Sequence, residues 1–174
     1  MKTLFSAKKL CRAGVIAALY VALTYVFMPF AYGPLQIRPA EALCILPLFF
    51  PEAVPALYIG CMIANLGGGG VADIFLGSAI TLIAALCTFF IGKVIKKKWL
   101  RFAIGGIFPV LFNALFLPFM FIFLSTTAET PSVALYFTYF GSLFLTQGVW
   151  VYALGAPVYA FIYKMQKQGF KPLL

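Results

Sequence analysis

The sequence contains no histidine and has few charged residues of any kind. Charged residues make up 10% of its 174 residues and hydrophobic residues 64%, with a mean hydropathy of +1.04. A soluble domain carries about 25% charged and about 45–50% apolar residues, because its surface must be wetted. The shortage of charge therefore excludes an ordinary soluble globule and a disordered chain, and it indicates lipid as the surrounding solvent.

The scarcity of acids and the absence of histidine also argue against an enzyme. The four acids stand singly, at Glu41, Glu52, Asp73 and Glu129, and form no pair with a base or nucleophile. The four cysteines show no CxxC spacing and are interpreted as small packing residues, so no metal site or cofactor is expected. The four glycines at 67–70 lack the Lys and Ser/Thr of a phosphate loop. Any ATP-driven step would therefore come from another chain.

Basic residues are more frequent, and their positions indicate membrane topology rather than nucleic-acid binding. The net charge is +9, and twelve of the thirteen basic residues fall into three clusters. The clusters are Lys2, Lys8, Lys9 and Arg12; Lys93, Lys96, Lys97, Lys98 and Arg101; and Lys164, Lys167 and Lys171. Six membrane crossings place all three clusters on the cytoplasmic side, as the positive-inside rule requires.

Long runs without charge supply these crossings. A span needs about 20 mostly apolar residues, and five charge-free runs are that long; a sixth, at 42–51, is shorter and is expected to lie among its neighbours. The sequence thus predicts an all-α bundle of six transmembrane helices in one domain, 1–174, with both termini cytoplasmic in a bacterial plasma membrane. The predicted helices are roughly 9–30, 39–50, 52–66, 73–92, 101–125 and 132–163.

Three charged residues on the predicted outer side are not explained by topology. Arg38 and Glu41 flank Pro39, so Glu41 could sit in a first helical turn and pair with Arg38. Alternatively, both face a cavity and hold a ligand, as intramembrane ionisable groups often do. Asp73 could cap the helix that follows the glycines, or it could bind a ligand.

Further polar residues fall near or within the predicted spans. Asn65, Asn113 and Gln147 could bond between helices, or they could line one polar pocket with Glu41 and Asp73. On the first span, Ala13 and Ala17 are four residues apart, and this spacing suits close approach of another helix of the same chain or of a partner. A solute-binding membrane protein fits this pattern best, and a small channel or a membrane assembly protein is the alternative from another class.

Four segments in order resemble the QueT family. They are YGPLQIRPAEAL at 32–43, LP at 46–47, GCMIANL at 60–66 and DIFLGS at 73–78. The resemblance covers most of the chain; it is densest in 32–78 and loose in the last two spans. It implies the substrate-binding S component of an energy-coupling factor (ECF) transporter, with no enzymatic activity of its own. It also implies a binding site near the outer face.

The expected partners follow from the same resemblance. An S component docks on a membrane T component and two cytoplasmic ATPases, and Ala13 and Ala17 match the small-residue docking motif of helix 1. The implied substrate is a queuosine precursor such as preQ1, a 7-deazaguanine with an aminomethyl group. Another planar vitamin-like solute is the alternative within the class.

For this implied ligand, each polar residue has an expected role. Glu41 would accept the adjacent N–H donors of the guanine edge, because a carboxylate accepts such a pair strongly. Asn65 and Gln147 would serve O6 and the rest of the edge, and Asp73 would neutralise the ammonium group.

The other candidates surround these four residues. Gln36 and Arg38 would lie in a loop that closes the site, and Tyr32 or Trp150 would stack on the base. Asn113 would complete the polar lining.

Overall fold

All regular structure in the described residues is helical. The computed structural model describes residues 6–32, 35–123 and 132–168. The helices are α1, Ala7–Val26; α2, Met28–Ala31; α3, Pro39–Leu48; α4, Ala53–Asn65; α5, Asp73–Val94; α6, Lys98–Phe123; and α7, Val133–Lys167.

The helix positions confirm a helical bundle but not the number of crossings. Four helices, α1, α5, α6 and α7, are long and apolar enough to cross a membrane. The ten residues of α3 form a 3₁₀ helix, which at about 2.0 Å per residue is shorter than the bilayer core of about 30 Å. Six crossings, and the cytoplasmic location of both termini, therefore stay predictions.

The observed boundaries differ most from the predicted ones in the first and the last segment. The first segment divides at Phe27, and the short α2 that follows carries Pro29, which has no backbone N–H to continue the hydrogen bonding of α1. The last helix continues to Lys167, beyond the predicted end, through a π-helical stretch at Val149–Leu154.

Helix α3 is the core of the molecule. All ten of its residues are buried, and it packs against α1, α4, α5, α6 and α7. A helix that is apolar all round belongs in an interior, and Glu41 is its sole charged residue. The fold therefore carries one carboxyl group into the centre of an apolar bundle.

Two glycines allow the helices to approach this core closely. A Cβ atom on Gly60 of α4 would lie 3.2 Å from the Ala17 Cα of α1. One on Gly92 of α5 would lie 2.8 Å from the Leu48 carbonyl oxygen of α3. Because backbone cannot yield as a side chain does, this packing requires glycine at 92 and favours it at 60.

The bundle has a basic end and a polar end. At the basic end, Arg12 of α1 pairs with Glu52, the residue before α4, at 2.9 Å, and its guanidinium lies 4.5 Å from the centre of the Phe50 ring. Helix α4 then runs to Asn65 at the opposite end. This ion pair accounts for the one acid at the basic end, whereas Glu41 and Asp73 belong to the candidate site.

Candidate functional site

The Glu41 carboxyl group is held by neutral donors from three helices. It is 2% exposed. Tyr20 of α1 donates its hydroxyl to Oε1 at 2.7 Å, Cys44 of α3 donates its thiol to Oε2 at 3.2 Å, and Asn113 of α6 donates Nδ2 to Oε2 at 3.4 Å. An ionised carboxylate is an acceptor only, and these groups suit it. In the described chain no cation lies within 4 Å of it.

Arg38 does not pair with Glu41, so the helix-start ion pair considered for them is wrong. Its Nε donates to the Ala31 carbonyl at 2.6 Å, and its Nη2 donates to Asn65 Oδ1 at 3.0 Å. The guanidinium also lies 4.9 Å from the centre of the Tyr32 ring. Arg38 therefore fastens the segment after α2 to the end of α4.

Asn65 joins this arginine to the start of α5. Its Nδ2 donates to the Asp73 carbonyl at 2.7 Å. Helical structure already begins at 71, so Asp73 lies in the first turn and not at the residue before the helix. Its carboxyl group accepts a hydrogen bond from the Gly70 backbone N–H, which agrees with the helix-start role considered for it. The same side chain also faces a cavity.

Asn113 connects Glu41 to α7. Its Nδ2 also donates to Gln147 Oε1 at 3.3 Å, and Gln147 is fully buried. The Gln147 Nε2 group has no hydrogen-bond partner within the part of the chain that the structure describes. A buried donor of this kind costs roughly 1–3 kcal/mol when it is unpaired. Gln147 thus offers a spare donor beside the Glu41 network.

These groups surround one small cavity. Its volume is about 10 Å³, close to the space of one water molecule. The described residues that line it are Gln36, Arg38, Glu41, Cys61, Asn65, Asp73, Gly77, Thr81, Asn113 and Leu117. Two carboxyl groups and one guanidinium face it, so the lining has a net charge of −1 when all three are ionised.

The structure brings together most of the predicted site. Six predicted residues line the cavity: Gln36, Arg38, Glu41, Asn65, Asp73 and Asn113. Gln147 stands behind Asn113, and Tyr32 packs on Arg38. Trp150 lies in the π-helical stretch of α7 and is not among the described lining residues.

Sequence reasoning missed Tyr20 and gave Cys44 and Cys61 a packing role alone. In a 3₁₀ helix residues i and i+3 eclipse, so Cys44 lies directly over Glu41. Cys61 lies one turn before Asn65 and accepts from Thr81 at 3.5 Å. Tyr20 has no local signal, because its partner is 21 residues away.

The loop before α3 carries backbone strain. Gln36 has φ 38°, in the left-handed region that non-glycine residues rarely adopt, and its side chain is buried. Strained residues of this kind cluster at ligand clamps. Gln36 therefore marks the loop that lies over the cavity.

Tyrosine rings cover the glycine segment on the same side. The Tyr32 hydroxyl donates to the Ala64 carbonyl at 2.6 Å, and its ring lies against Gly68. A Cβ atom on Gly68 would lie 2.6 Å from Tyr32 Cε2, whereas one on Gly70 meets nothing within 4 Å. Glycine is thus needed at 68 for the position of Tyr32.

Replacement of Gly68 by alanine is expected to lower the melting temperature. The new methyl group must displace a ring that is fixed at both ends, and overpacking of this kind costs about 1–3 kcal/mol, or roughly 3–10 °C. Gly70→Ala is the matched control and should melt within about 2 °C of the wild type. Thermal unfolding of both purified variants measures this, and equal melting temperatures would show that the Tyr32 ring is not held against Gly68.

Comparison with known proteins gives two matches. The family model described as QueT transporter matches residues 10–164. A protein named queuosine precursor transporter QueT, from Lactococcus lactis subsp. cremoris (strain MG1363), is 37% identical over 71 residues, which cover 40% of this chain and 42% of that relative. No solved structure matches the chain significantly.

Proposed function

Because this chain belongs to the QueT transporter family, we propose that it binds a queuosine precursor, preQ1 or a related 7-deazaguanine, as the S component of an ECF importer. The observation that carries the substrate assignment is the buried Glu41 carboxyl group. It is held by neutral donors, and it faces the same cavity as Asp73 and Arg38. A transporter subunit needs binding groups and no catalytic set, which fits this lining.

The charge of the cavity favours a cationic ligand. Isolated charge in a low-dielectric interior is unfavourable, and a ligand of opposite charge removes the penalty. A lining of net charge −1 is neutralised by one ammonium group, which the aminomethyl arm of preQ1 supplies. Asp73 is the acid assigned to that ammonium, because Glu41 already has three donors at its oxygens.

The base itself would be recognised at Glu41. Adjacent N–H donors on the guanine edge would replace the long Asn113 bond and the Cys44 bond, and charge-assisted pairs of this kind are strong. The freed Asn113 amide and the spare Gln147 donor would then serve O6. Asn65 would bond to the rest of the guanine edge from the other side of the cavity.

Binding requires the site to open. Small-molecule pockets are about 300–1,000 Å³, far larger than the present cavity of about 10 Å³. The loop that carries Gln36 and Arg38 is the part with room to move outward, since Tyr32 and Arg38 fasten it by a few bonds. Release of these bonds would leave the Tyr32 ring free to stack on the base.

Transport would be driven by partner chains. We assign the energy to two cytoplasmic ATPases that act through a T component, with the S component turning in the membrane on docking and releasing its ligand inward. Helix α1 is the proposed docking helix. Through Tyr20 it also touches Glu41 directly, so a shift of the Glu41 carboxyl group on ligand binding would be transmitted to that helix.

The structure divides the small residues of α1 between two faces. Ala13 and Ala17 are half-buried and pack on the core. Ala17 also faces Gly60 of α4. The exposed small residues are Gly14, Ala18 and Ala22, each one turn apart. We therefore propose that this exposed stripe lies against the T component and that Ala13 and Ala17 position the helix behind it.

Calorimetry with the purified chain tests the substrate assignment. Wild-type protein is expected to bind preQ1 tightly, and the neutral nitrile analogue of the same base more weakly. Asp73→Asn should weaken preQ1 binding about tenfold, about 1.4 kcal/mol, and leave the nitrile analogue within about twofold, because the ammonium partner alone is lost.

Comparison of the two ligands distinguishes a wrong role for Asp73 from a wrong substrate. If Asp73→Asn loses the same affinity for preQ1 and for the nitrile analogue, Asp73 is not the partner of the ammonium group. No binding of either by folded wild-type protein would overturn the queuosine-precursor assignment. Co-purification of the chain with a T component and two ATPases from an expressing strain tests the ECF role separately.

A further inference from the structure

Arg101 at the basic end has buried donors that the described chain does not satisfy. It lies in the first turn of α6, and its guanidinium is 5.1 Å from the centre of the Phe49 ring. Its Nε and Nη2 atoms are buried and have no hydrogen-bond partner within 6–32, 35–123 and 132–168. The side chain as a whole is half-buried, and since arginine keeps its charge in proteins, it is a cation with two buried N–H groups that lack a partner.

Two lysines lie around the same group of aromatic rings. Lys98 Nζ is 4.7 Å, and Lys167 Nζ is 5.8 Å, from the centre of the Tyr163 ring. The Tyr159 hydroxyl donates to the Lys98 carbonyl at 2.9 Å, which ties the start of α6 to the end of α7. No carboxylate of the described residues lies within 4 Å of these three cations.

Such a cluster is unfavourable unless an anion joins it. Like charges repel, and buried unpaired donors cost free energy. Helical side chains also tilt toward the N-terminus of their helix, where free backbone N–H groups favour an anion. Lys98 and Arg101 are one turn apart on α6, and the Lys98 and Lys167 ammonium groups lie near the same Tyr163 ring. These positions allow the three cations to contribute to one anion site.

The neighbouring residues indicate where the anion comes from. Trp99 and Leu100 directly precede Arg101 in the sequence and are 68% and 47% exposed. Exposed tryptophan beside basic residues is typical of the membrane interface, where headgroups meet acyl chains. Basic pockets between helices at this depth bind acidic headgroups.

We propose that Arg101, Lys98 and Lys167 form a binding site for the phosphate group of an anionic phospholipid. The half-buried Arg101 side chain would turn outward, because its Nε and Nη2 atoms are covered by the protein. The phosphate would then accept from these donors and from the α6 N-terminus. The acyl chains would lie along Trp99 and Leu100. This site is at the opposite end of the bundle from Glu41 and does not depend on the transported substrate.

Lipid binding to the purified full-length chain tests the site. Native mass spectrometry would titrate phosphatidylglycerol against wild type, Arg101→Gln and the matched control Lys96→Gln, which removes an exposed charge at the same end. We expect Arg101→Gln to bind the lipid about tenfold more weakly and Lys96→Gln to stay within about twofold. Phosphatidylcholine should bind wild type about tenfold more weakly than phosphatidylglycerol.

Other outcomes overturn the assignment. Equal losses in Arg101→Gln and Lys96→Gln would show a general charge effect and no site. Inorganic phosphate that displaces the lipid from wild type at millimolar concentration would show a soluble anion as the ligand. If Arg101→Gln does not fold, Lys98→Gln replaces it, with an expected loss of about threefold to fivefold, and an unchanged affinity there removes the site.

Discussion

Replacement of Glu41 by glutamine is expected to weaken preQ1 binding about 100-fold, which is about 2.7 kcal/mol. The amide has nearly the same shape, but it presents one acceptor and one donor where the guanine edge needs two acceptors. It therefore loses a charge-assisted pair and places a donor against a donor. Titration calorimetry of purified protein measures the change.

The same substitution should not unfold the protein. Glu41 is buried without a cation within 4 Å among the described residues, and a neutral amide removes the desolvation penalty of its charge. We therefore expect Glu41→Gln to melt at or above the wild-type temperature. A lower melting temperature would mean that the carboxyl group serves stability, and lost binding would then say nothing about recognition.

Glu52→Gln is the control for charge. It removes the same charge at the basic end, where Glu52 pairs with Arg12, and it should leave preQ1 affinity within about twofold. Unchanged affinity in folded Glu41→Gln would remove Glu41 from the binding site.

Replacement of Ala18 by tryptophan is expected to reduce uptake of preQ1 at least tenfold while leaving binding within about twofold. Ala18 is exposed on α1, so the isolated chain tolerates a large apolar side chain there. A partner helix that approaches a small-residue stripe closely does not. Uptake of labelled preQ1 into cells that express the chain with its T component and ATPases measures the first effect, and calorimetry measures the second.

Neighbouring residues of α1 supply the controls. Leu19→Trp replaces one large exposed residue by another beside the stripe and should leave uptake within about twofold. Ala17→Trp should instead lower the melting temperature, because Ala17 faces Gly60. Loss of uptake in a folded, ligand-binding Ala13→Trp variant, with normal uptake in Ala18→Trp, would place docking on Ala13 and Ala17 as the family resemblance implies.

The helix ends could be predicted closely where charge marks them. The basic clusters bound α1, α5, α6 and α7, and their positions follow from the cost of charge in lipid. The form of α3 could not be predicted, since an apolar stretch between two prolines is compatible with either an α or a 3₁₀ helix. The 3₁₀ form places Cys44 directly over Glu41, whereas an α-helix would offset the two neighbouring residues around the helix axis.

Six of the ten described lining residues could be predicted from the sequence, but the contacts among them could not. Polar groups are rare in this sequence, so those that remain away from the basic clusters are natural ligands for a solute. Which of them meet depends on helix rotation and on long-range pairs, such as Tyr20 with Glu41 or Asn113 with Gln147. No local pattern encodes such pairs, because their partners are more than 20 residues apart.

The sequence by itself determined the solvent, the helical class and the short set of polar residues with no topological role. The tertiary structure decided that Arg38 bonds to Asn65 and not to Glu41, and that Arg101 carries buried donors without a partner in the described residues. The physical reason is that the free energy of transfer from water into lipid is a sum over residues, so it follows from the composition alone. Hydrogen bonding is a matter of distance and direction between specific atoms, which the packing of the helices sets.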